Sequence, residues 1–490
     1  MKTTLTNGKP VLLTVKDLLH TIRREAKSPL AGQHVHLVGI GGSGMSGLAQ
    51  MLLDAGAIVS GTDRALSALT QKLAVRGATI GYDQSGNALP QHLDTLVASA
   101  AIPTDHPELV AARARGVAII KYAQMVGRVM QQKVGIAVAG AHGKSTTTAL
   151  VAHLLLAAGR DPSFVIGATC ADLGGSARSG QGQAFVVEAC EYDRSFLNYH
   201  PQIGVILNIE PDHLDYYKDL DEITAAFGAF AAQIDSAGVL ITAAGQPACQ
   251  AAARQATAKV ETFSTESAGD WQAQGIRRFQ GKTHFGVVYK GRKMGRLIEQ
   301  LPGRHNVGNC LAAAAAATHC GLSWDEIAAG VASYHGVDRR SQLLYAEAGC
   351  TVVDDYAHHP TEIRATLQAL REHYRPRRLI CIFQPHQHSR TRLLLDDFAH
   401  SFKAADITVV PDIYEVRDSP ADQAAISAAT LVDHITAAGS DATYVARFDE
   451  IVDLLEAETE PGDLIISMGA GPVWEVTHEL VRRLRRRHSA

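Results

Sequence analysis

The sequence lacks a charge excess of either sign. Its 490 residues contain 46 Lys and Arg against 50 Asp and Glu, which gives a formal net charge of -4. Charges interspersed in this way give no electrostatic reason to expect DNA, RNA or an anionic membrane as the main partner. We therefore expect the ligands to be small molecules, bound by a monomer or a homodimer.

Long hydrophobic runs are also missing. Residues 1–33 contain Lys, Asp, Arg and Glu throughout, without an apolar stretch long enough for the core of a secretory signal. No other segment approaches the run of about 20 apolar residues that a membrane-spanning helix needs. The sequence therefore predicts a cytoplasmic protein.

The cysteines lack the spacing of a metal or redox site. All seven lie far apart, at positions 170, 190, 249, 310, 320, 350 and 381. Without a closely spaced pair, we expect them to be buried free thiols. A run of arginines at 482, 483 and 485–487 ends a helical pattern, where cations suit the negative end of the helix dipole. An anion site is the alternative interpretation of that run.

Three βα patterns divide the chain. Its length is several times what one hydrophobic core needs, so two to four domains are expected, and three is our prediction. In each pattern an apolar run meets a glycine-rich or polar turn and then a helical pattern, which is typical of parallel sheets. The sequence therefore predicts an α/β fold. The predicted domains are residues 1–123, 124–337 and 338–490.

A glycine-rich turn follows the first predicted strand. Gly39, Gly41 and Gly44 form a G-x-G-x-x-G pattern at the head of a helix, with Asp63 about 20 residues further on. Glycines let the backbone approach a pyrophosphate, and an acidic residue can hold a ribose hydroxyl. The pattern predicts a site for a diphosphate and a sugar without distinguishing NAD from a UDP-sugar. A turn without a ligand is the alternative.

A second turn has the residues of a phosphate loop. Gly140, Gly143, Lys144 and Ser145 follow a strand and open a helix. Their amides suit phosphates, the lysine suits a γ-phosphate, and the serine hydroxyl suits Mg²⁺. Val138 stands where the full Walker pattern has its first glycine. The sequence therefore predicts a shortened loop, which argues against motor ATPases and GTPases.

Two later strand ends supply candidate metal ligands. Parallel strands bring their carboxyl ends to one edge of a sheet, where ligands bind, and Mg²⁺ needs more oxygen ligands than one hydroxyl. Taken singly, each residue is equally well explained as an exposed turn residue. The candidates are Glu188, Glu191 and Asp193 after the first strand, and Asn208, Glu210, Asp212 and His213 after the second.

The third domain concentrates arginines and histidines. Arg339 and Arg340 stand at the predicted hinge, either to deliver an arginine to a phosphate or to form an interdomain salt bridge. Histidines cluster at two strand ends, but no carboxylate or cysteine stands at the spacing that would complete a closed set of zinc ligands. The two clusters are Asp354, Asp355, Tyr356, His358 and His359, and Gln384, His386, His388 and Arg390.

Seven segments together resemble the Mur ligases in order and spacing over residues 34 to 475. They are VGIGGSGMSGLA (38–49), VAGAHGKSTTTA (138–149), EACEYDRSF (188–196), NIEPDHLDYY (208–217), GRHNVGNCLAA (303–313), DDYAHHPTEI (354–363) and QPHQHSRTR (384–392). The resemblance implies a Rossmann-like N-terminal domain for a UDP-sugar, a central P-loop ATPase domain and a Rossmann-like C-terminal domain for an amino acid. It further implies an ATP- and Mg²⁺-dependent reaction that joins L-alanine to UDP-N-acetylmuramate through an acyl phosphate.

The resemblance also implies site residues. For ATP these are Gly140, Ala141, His142, Gly143, Lys144, Ser145 and Thr146 in the loop, His305, Asn306 and Asn309 on the adenine side, Arg340 at a phosphate, and Asp355 at the ribose or the hinge. For the metal they are Ser145, Glu188 and His213. For the sugar nucleotide they are Gly39, Gly41, Gly42, Ser43, Gly44, Asp63 and Ser99, and for the amino acid they are Tyr356, His386 and Arg390. Catalytic roles are implied for Lys144, His213, Arg340 and His358, with the two histidines as candidates for taking the amine proton.

The sequence departs from the family pattern at three places. Ala141 and Ser145 stand where threonines are usual, and Tyr192 follows Glu191 where a serine is usual. Gln387 stands where an arginine is common in the amino-acid pocket, so we expect weaker binding of L-alanine unless residue 387 faces solvent. Three alternatives remain open: a recycling ligase that attaches a murein peptide to the same sugar nucleotide, an NAD-dependent dehydrogenase, and a non-catalytic nucleotide-binding regulator.

Overall fold

The computed structural model describes residues 28–99, 101–213, 216–266, 268–416 and 418–489. Most of the charged segment 1–33, where the sequence predicts no secretory signal, lies outside these described residues. Among them, no helix combines the length and apolarity that crossing a membrane requires.

The first sheet has five parallel strands in the order β3-β2-β1-β4-β5. The strand order reverses at β1, and ligands bind outside such reversals in open α/β sheets. The strands are β1 (His34–Val38), β2 (Ile58–Thr62), β3 (Thr79–Gly81), β4 (Thr95–Ala98) and β5 (Ala118–Lys121). The helices are α1 (Ser43–Asp54), α2 (Ala68–Val75), α3 (Pro107–Ala114) and α4 (Tyr122–Met130).

The second sheet has ten strands in the order β15-β14-β13-β12-β11-β10-β6-β9-β7-β8. Strand β6 lies between β10 and β9 and is parallel to both, so their carboxyl ends share one edge. The strands are β6 (Val134–Ala139), β7 (Ser163–Cys170), β8 (Gly175–Arg178), β9 (Ala184–Glu188), β10 (Ile203–Ile206), β11 (Val239–Ala243), β12 (Lys259–Ser264), β13 (Trp271–Phe279), β14 (Lys282–Tyr289) and β15 (Arg292–Glu299). The helices are α5 (Lys144–Ala157), α6 (Leu220–Ala232), α7 (Pro247–Ala253), α8 (Arg304–His319) and α9 (Trp324–Ala332).

The third sheet has six strands in the order β16-β17-β21-β18-β19-β20, parallel except for the edge strand β16. The strands are β16 (Gln342–Glu347), β17 (Cys350–Asp355), β18 (Arg378–Phe383), β19 (Ile407–Val410), β20 (Ala442–Tyr444) and β21 (Asp463–Met468). The helices are α10 (Pro360–Tyr374), α11 (His388–Leu393), α12 (Leu395–Ala399), α13 (Pro420–Ala425), α14 (Ala428–Ala437), α15 (Phe448–Glu458) and α16 (Trp474–Ser489).

The described residues form two compact units. The first holds residues 28–275, 285–297 and 308–334, and the second holds 276–284, 298–307 and 335–489. The three sheets confirm the predicted α/β fold of three domains. The domain boundaries near residues 123 and 337 stay predictions.

Several local predictions are confirmed. Helix α8 contains the alanine-rich stretch, whose side chains are fully buried from Leu311 to Ala317. Gly159 follows the end of α5 with a φ of 70°, as expected of a glycine that ends a helix. Arg483 of the arginine run pairs with Asp453, Glu456 and Glu479. Its guanidinium is thus already neutralised by neighbouring carboxylates.

The cysteines are free, and most of them are buried. The prediction of burial is wrong for Cys190, which is exposed in the turn after β9, and only partly right for Cys320 at the end of α8. The error arises because the exposure of a cysteine in a turn depends on the path of the backbone there, whereas a strand of the sheet places its cysteine in the core.

Candidate active site

The phosphate loop joins β6 to α5 through two glycines in left-handed conformations. Gly140 has a φ of 145° and Gly143 a φ of 81°. A Cβ atom at Gly143 would lie 2.5 Å from Oδ1 of Asn309 on α8, closer than real atoms approach. Glycine is therefore required here both by the backbone angle and by the neighbouring helix. The contact also brings Asn309, an expected adenine-side residue, against the loop.

Asn208 fixes the shape of the loop. Its Oδ1 accepts from the His142 amide at 2.7 Å, its Nδ2 donates to the His142 carbonyl at 3.0 Å, and its own carbonyl accepts from the Ala141 amide at 3.2 Å. Helix α5 then begins at Lys144 without a side-chain cap. Its first amides consequently point toward the loop, which is the arrangement that binds phosphate at a helix N-terminus.

Lys144 is buried and bonded inside the loop. Its Nζ donates to the carbonyls of Gly140 at 2.6 Å and Ala141 at 3.1 Å, and to Oε1 of Glu191 at 3.0 Å. Burial alone would lower the pKa of the ammonium, but the surrounding acidic groups, with Glu191 foremost, together outweigh burial and raise the pKa. Burial likewise opposes ionisation of Glu191, yet Lys144 and His213 hold the pKa of its carboxyl below the usual value. Both groups are therefore charged at neutral pH.

Glu191, Asp212 and His213 form a group able to hold a metal ion. One ligand atom from each lies within 4.8 Å of the others. Nε2 of His213 lies 3.5 Å from Glu191 Oε1 and 3.8 Å from Asp212 Oδ2. Two carboxylates and one imidazole are a donor set that fits a divalent cation, and carboxylate oxygens suit Mg²⁺. The buried Ser145, in the first turn of α5, offers the hydroxyl that the sequence assigned to the metal.

Glu188 occupies a different position from this group. It ends β9, and its Oε2 accepts from the Gly167 amide at 2.7 Å. The metal-binding group found among the described residues around His213 contains Glu191 and Asp212 rather than Glu188. Glu191 and Asp212 were visible in the sequence as strand-end candidates, but the resemblance selected Glu188. The role of Glu188 as a ligand stays a prediction.

The glycine turn of the first domain is closed by Asp63. Its Oδ2 accepts from the Gly41 amide at 2.7 Å, and a Cβ at Gly41 would lie 2.8 Å from the same oxygen. Gly42 and Ser43 follow at the start of α1, and a Cβ at Gly44 would lie 3.1 Å from Oη of Tyr122. One carboxylate oxygen therefore binds the turn itself, so the expected ribose contact of Asp63 stays a prediction.

Three other expected residues lie near element ends. Ser99 follows β4, and its carbonyl accepts from the Ile102 amide at 3.1 Å. At the start of α8, Asn306 is buried and its Nδ2 donates to the Pro302 carbonyl at 2.8 Å. His305 packs so close to Gly303 that a Cβ there would lie 2.5 Å from its ring. The hydrogen bond from the Asn306 side chain to the Pro302 carbonyl holds the turn that leads into α8.

In the second unit, Asp355 is a buried carboxyl at the end of β17. It accepts from the amides of Ser341 and Ala357, each at 2.7 Å. Burial raises the pKa of Asp355 to about 6, although the charge of Arg340 acts in the opposite direction. The guanidinium of Arg340 lies 5.1 Å from the ring centre of Tyr356, and its Nη1 donates to Glu362 at 3.4 Å.

Arg339 is bonded within the same unit. Its Nε donates to the buried Asp354 at 3.1 Å and its Nη2 donates to the Gly469 carbonyl at 2.6 Å. Its guanidinium also lies 5.0 Å from the ring centre of Tyr356. These contacts fix Arg339 on the third sheet, and the phosphate contact of Arg340 stays a prediction.

The two histidine clusters of the third domain meet. The rings of His358 and His386 lie 5.9 Å apart, and His358 also contacts the ring of Tyr356. Nη1 of Arg390 lies 3.3 Å from Nδ1 of His386. His358 thus lies between Tyr356 and His386, and Arg390 contacts His386 directly. The three expected amino-acid contacts, Tyr356, His386 and Arg390, are therefore neighbours.

Gln387 is buried, with 5% of its surface exposed. Its Nε2 donates to the Val416 carbonyl at 3.1 Å, and its backbone φ is 69°. The alternative that residue 387 faces solvent is therefore wrong. The amide is used to hold the neighbouring loop, a role that the comparison with family arginines did not reveal.

Comparisons with known proteins show to which family the chain is similar. Family models match the chain in order: the Mur ligase family catalytic domain at residues 34–134, the Mur ligase middle domain at 138–317, and the Mur ligase glutamate ligase domain at 339–471. A UDP-N-acetylmuramate–L-alanine ligase of Clostridium novyi is 42% identical over 443 residues, which are 90% of this chain and 96% of the relative.

Two solved structures have the same fold. The UDP-N-acetylmuramate–alanine ligase of Thermotoga maritima matches with a TM-score of 0.75 and 26% identity, covering 92% of this chain and 99% of that one. A murein peptide ligase of Psychrobacter arcticus matches with a TM-score of 0.65 and 26% identity, covering 92% and 98%. The phosphate loop, Lys144, Glu191 and His213 all lie inside the middle-domain match. The chain therefore belongs to the Mur ligase family.

Proposed function

We propose that this protein uses ATP to join L-alanine to the carboxylate of UDP-N-acetylmuramate, an early step of peptidoglycan synthesis. The observation that carries the proposal is the 42% identity, over nine-tenths of the chain, to a relative named for that reaction. The phosphate loop with its buried lysine supports the use of ATP. Since ATP and UDP-sugars are made in the cytoplasm, we propose that compartment for the reaction.

In the first step, a carboxylate oxygen attacks the γ-phosphorus of ATP, the bond from that phosphorus to the bridging oxygen breaks, and the products are an acyl phosphate and ADP. Such a transfer depends on positioning and on neutralising charge rather than on covalent help from the protein. The amides of Gly143 to Thr146 hold the phosphates, and Lys144 neutralises them. Arg340 supplies a further positive charge by analogy with the family.

In the second step, the amine of L-alanine attacks the acyl carbon and inorganic phosphate leaves. The attacking nitrogen must lose a proton, and the candidates for accepting it are His358 and, if its imidazole does not hold the cation, His213. Tyr356, His386 and Arg390 are proposed to hold the amino acid, with the guanidinium binding its carboxylate. An acyl phosphate hydrolyses readily, so exclusion of water is required between the two steps.

A divalent cation is proposed to bind beside the phosphate loop. Glu191, Asp212 and His213 lie close enough to one another to share an ion, and Ser145 and Glu188 are further proposed ligands. Mg²⁺ bound there would neutralise charge that develops on the transferring phosphoryl group. The carboxylates and the serine hydroxyl fit this role because hard cations prefer oxygen ligands.

The remaining ligand contacts are proposed from the resemblance. The sugar nucleotide would lie at the turn after β1, with Gly39 to Gly44, Asp63 and Ser99 as its contacts. On the adenine side of ATP the contacts would be His305, Asn306 and Asn309, while His142 belongs to the phosphate loop and Asp355 would be a ribose or hinge contact. The proposed boundaries near 123 and 337 fall between sheets, since β5 ends at Lys121 and β6 begins at Val134, while β15 ends at Glu299 and β16 begins at Gln342.

Phosphate release by the purified protein tests the proposal. The complete mixture contains ATP, Mg²⁺, UDP-N-acetylmuramate and L-alanine, and each component is omitted in turn. We expect release only in the complete mixture, with a product that is heavier than the sugar nucleotide by one alanyl residue. Binding of ATP without phosphate release would instead support a nucleotide-binding regulator. A change in nicotinamide absorbance in a separate mixture that contains NAD would support a dehydrogenase.

The recycling ligase is the second candidate from the same family. Its solved relative matches with a lower TM-score than the alanine ligase, 0.65 against 0.75, at equal identity. The two activities differ only in the amine, so replacing L-alanine by the murein tripeptide separates them. Faster phosphate release with the tripeptide would overturn the assignment of L-alanine.

A further inference from the structure

Tyr192 packs against the imidazole of the candidate metal site. The ring centres of Tyr192 and His213 lie 5.0 Å apart at an angle of 59°. On its other side Tyr192 contacts Tyr216 at 5.6 Å, and Tyr216 meets Tyr217 edge to face at 4.9 Å. Three tyrosines thus form a continuous row of rings that begins at His213.

The row ends on the carboxylate side of the same site. The hydroxyl of Tyr217 is buried and donates to the Glu191 carbonyl at 2.6 Å. The guanidinium of Arg194 lies 5.8 Å from the Tyr217 ring centre and pairs with Glu222 at 2.7 Å. The aromatic row therefore touches both partners of the pair formed by Glu191 and His213, whose side chains lie 3.5 Å apart.

The backbone around this pair is strained. Asp193, Arg194 and His213 have φ values of 53°, 51° and 54°, in the left-handed region that residues other than glycine rarely adopt. Such conformations persist only when surrounding contacts hold them, and they concentrate at functional sites. The amides of Tyr216 and Tyr217 both donate to the His213 carbonyl, at 2.8 and 2.9 Å. The orientation of His213 thus depends on its contacts rather than on backbone preference.

We propose that Tyr192 is a positioning residue that holds the His213 imidazole toward Glu191 and so sets the affinity of the site for a divalent cation. The inference rests on the proposed function. Tyr192 stands where serine is usual in the family, and a serine side chain is too short to place a surface against the imidazole. Aromatic pairs with offset or tilted geometry stabilise each other beyond simple burial, which gives this contact its effect.

Binding of Mn²⁺ to the full chain, measured by electron paramagnetic resonance without ATP, tests the proposal. We expect Tyr192→Ser to weaken Mn²⁺ binding by about three- to tenfold, whereas Tyr192→Phe keeps the ring and stays within about twofold of the unaltered protein. The Mg²⁺ concentration for half-maximal phosphate release should rise in parallel in Tyr192→Ser. At saturating Mg²⁺, kcat should remain within about twofold.

Tyr444→Ser is the matched control, because Tyr444 is exposed on the edge strand β20 of the second unit. It should leave Mn²⁺ binding unchanged. Unaltered Mn²⁺ affinity in Tyr192→Ser, even with a lowered Tm, would overturn the proposal. An equal loss of Mn²⁺ affinity in Tyr192→Phe would also overturn it, as would the absence of Mn²⁺ binding by the unaltered protein. If Mn²⁺ binding changes as expected but the unaltered protein releases no phosphate, the proposed function fails while the role of Tyr192 stands.

Discussion

Lys144 and Glu191 form a buried ion pair in which Nζ lies 3.0 Å from each carboxylate oxygen. The ammonium has three donors, and it also donates to the carbonyls of Gly140 and Ala141. A phosphate bound in the loop must therefore displace at least one of these acceptors. The ion pair holds the charged lysine beside the loop, where it can bind an anionic ligand.

Lys144→Ala should abolish turnover and leave binding of UDP-N-acetylmuramate intact. The lysine acts on phosphates in the middle domain, whereas the sugar nucleotide is assigned to the first, and loss of one preorganised charge costs about a hundredfold or more in rate. Phosphate release and calorimetric binding measure the two effects. Lys218→Ala, at a highly exposed lysine, is the control. Release above about a tenth of the unaltered rate would refute the assignment.

Glu188→Gln should raise the Mg²⁺ requirement. A neutral amide is a poorer ligand for a hard cation than a carboxylate, so we expect the half-saturating Mg²⁺ concentration to rise about tenfold. Titration of phosphate release with Mg²⁺ measures it, with the exposed Glu347→Gln as the control. If the curve stays in place for Glu188→Gln but moves for Glu191→Gln, the ligand is Glu191, and Glu188 serves to hold Gly167.

Gln387→Arg should destabilise the protein without improving the use of L-alanine. The sequence alone predicted tighter binding, because an arginine grips a carboxylate through two hydrogen bonds. In the structure the substitution removes the bond to the Val416 carbonyl and places a charge in a buried position, which is costly. Thermal unfolding and alanine saturation measure the two effects, with the exposed Gln423→Arg as the control. A lower half-saturating alanine concentration at unchanged Tm would restore the sequence-based prediction.

Asp355→Asn should flatten the dependence of stability on pH. The pKa of Asp355 is about 6 in the folded protein and about 3.9 in an unfolded chain, so between these values the folded state binds the proton more tightly. The free energy of unfolding therefore falls as the pH rises from about 4 to about 6, by on the order of 3 kcal/mol from this group. Comparing Tm at pH 4.5 and 7 for both proteins measures the difference. Parallel pH profiles would show that Asp355 is already ionised at low pH.

The strands and turns were predictable because they depend on local pattern. Apolar runs at residues 34–40 and 135–139 correspond to β1 and β6, and each glycine turn lies at the strand end where the sequence predicted it. Hydrophobic periodicity and glycine conformation are properties of neighbouring residues, so they can be read directly. The exposure of Cys190 could not be predicted from the local pattern, because it depends on how the turn after β9 folds.

The sequence by itself determined the α/β class, the three domains, the phosphate loop and the family, since each follows from short segments and their order. Tertiary structure decided which strand-end groups meet. Glu191, Asp212 and His213 come from two strand ends brought together by the parallel order of β9, β6 and β10, whereas Glu188 turns to Gly167. Likewise, the burial of Gln387 depends on a loop 29 residues away, at Val416. Contacts between distant segments fix the direction of each side chain, and no local pattern contains that information.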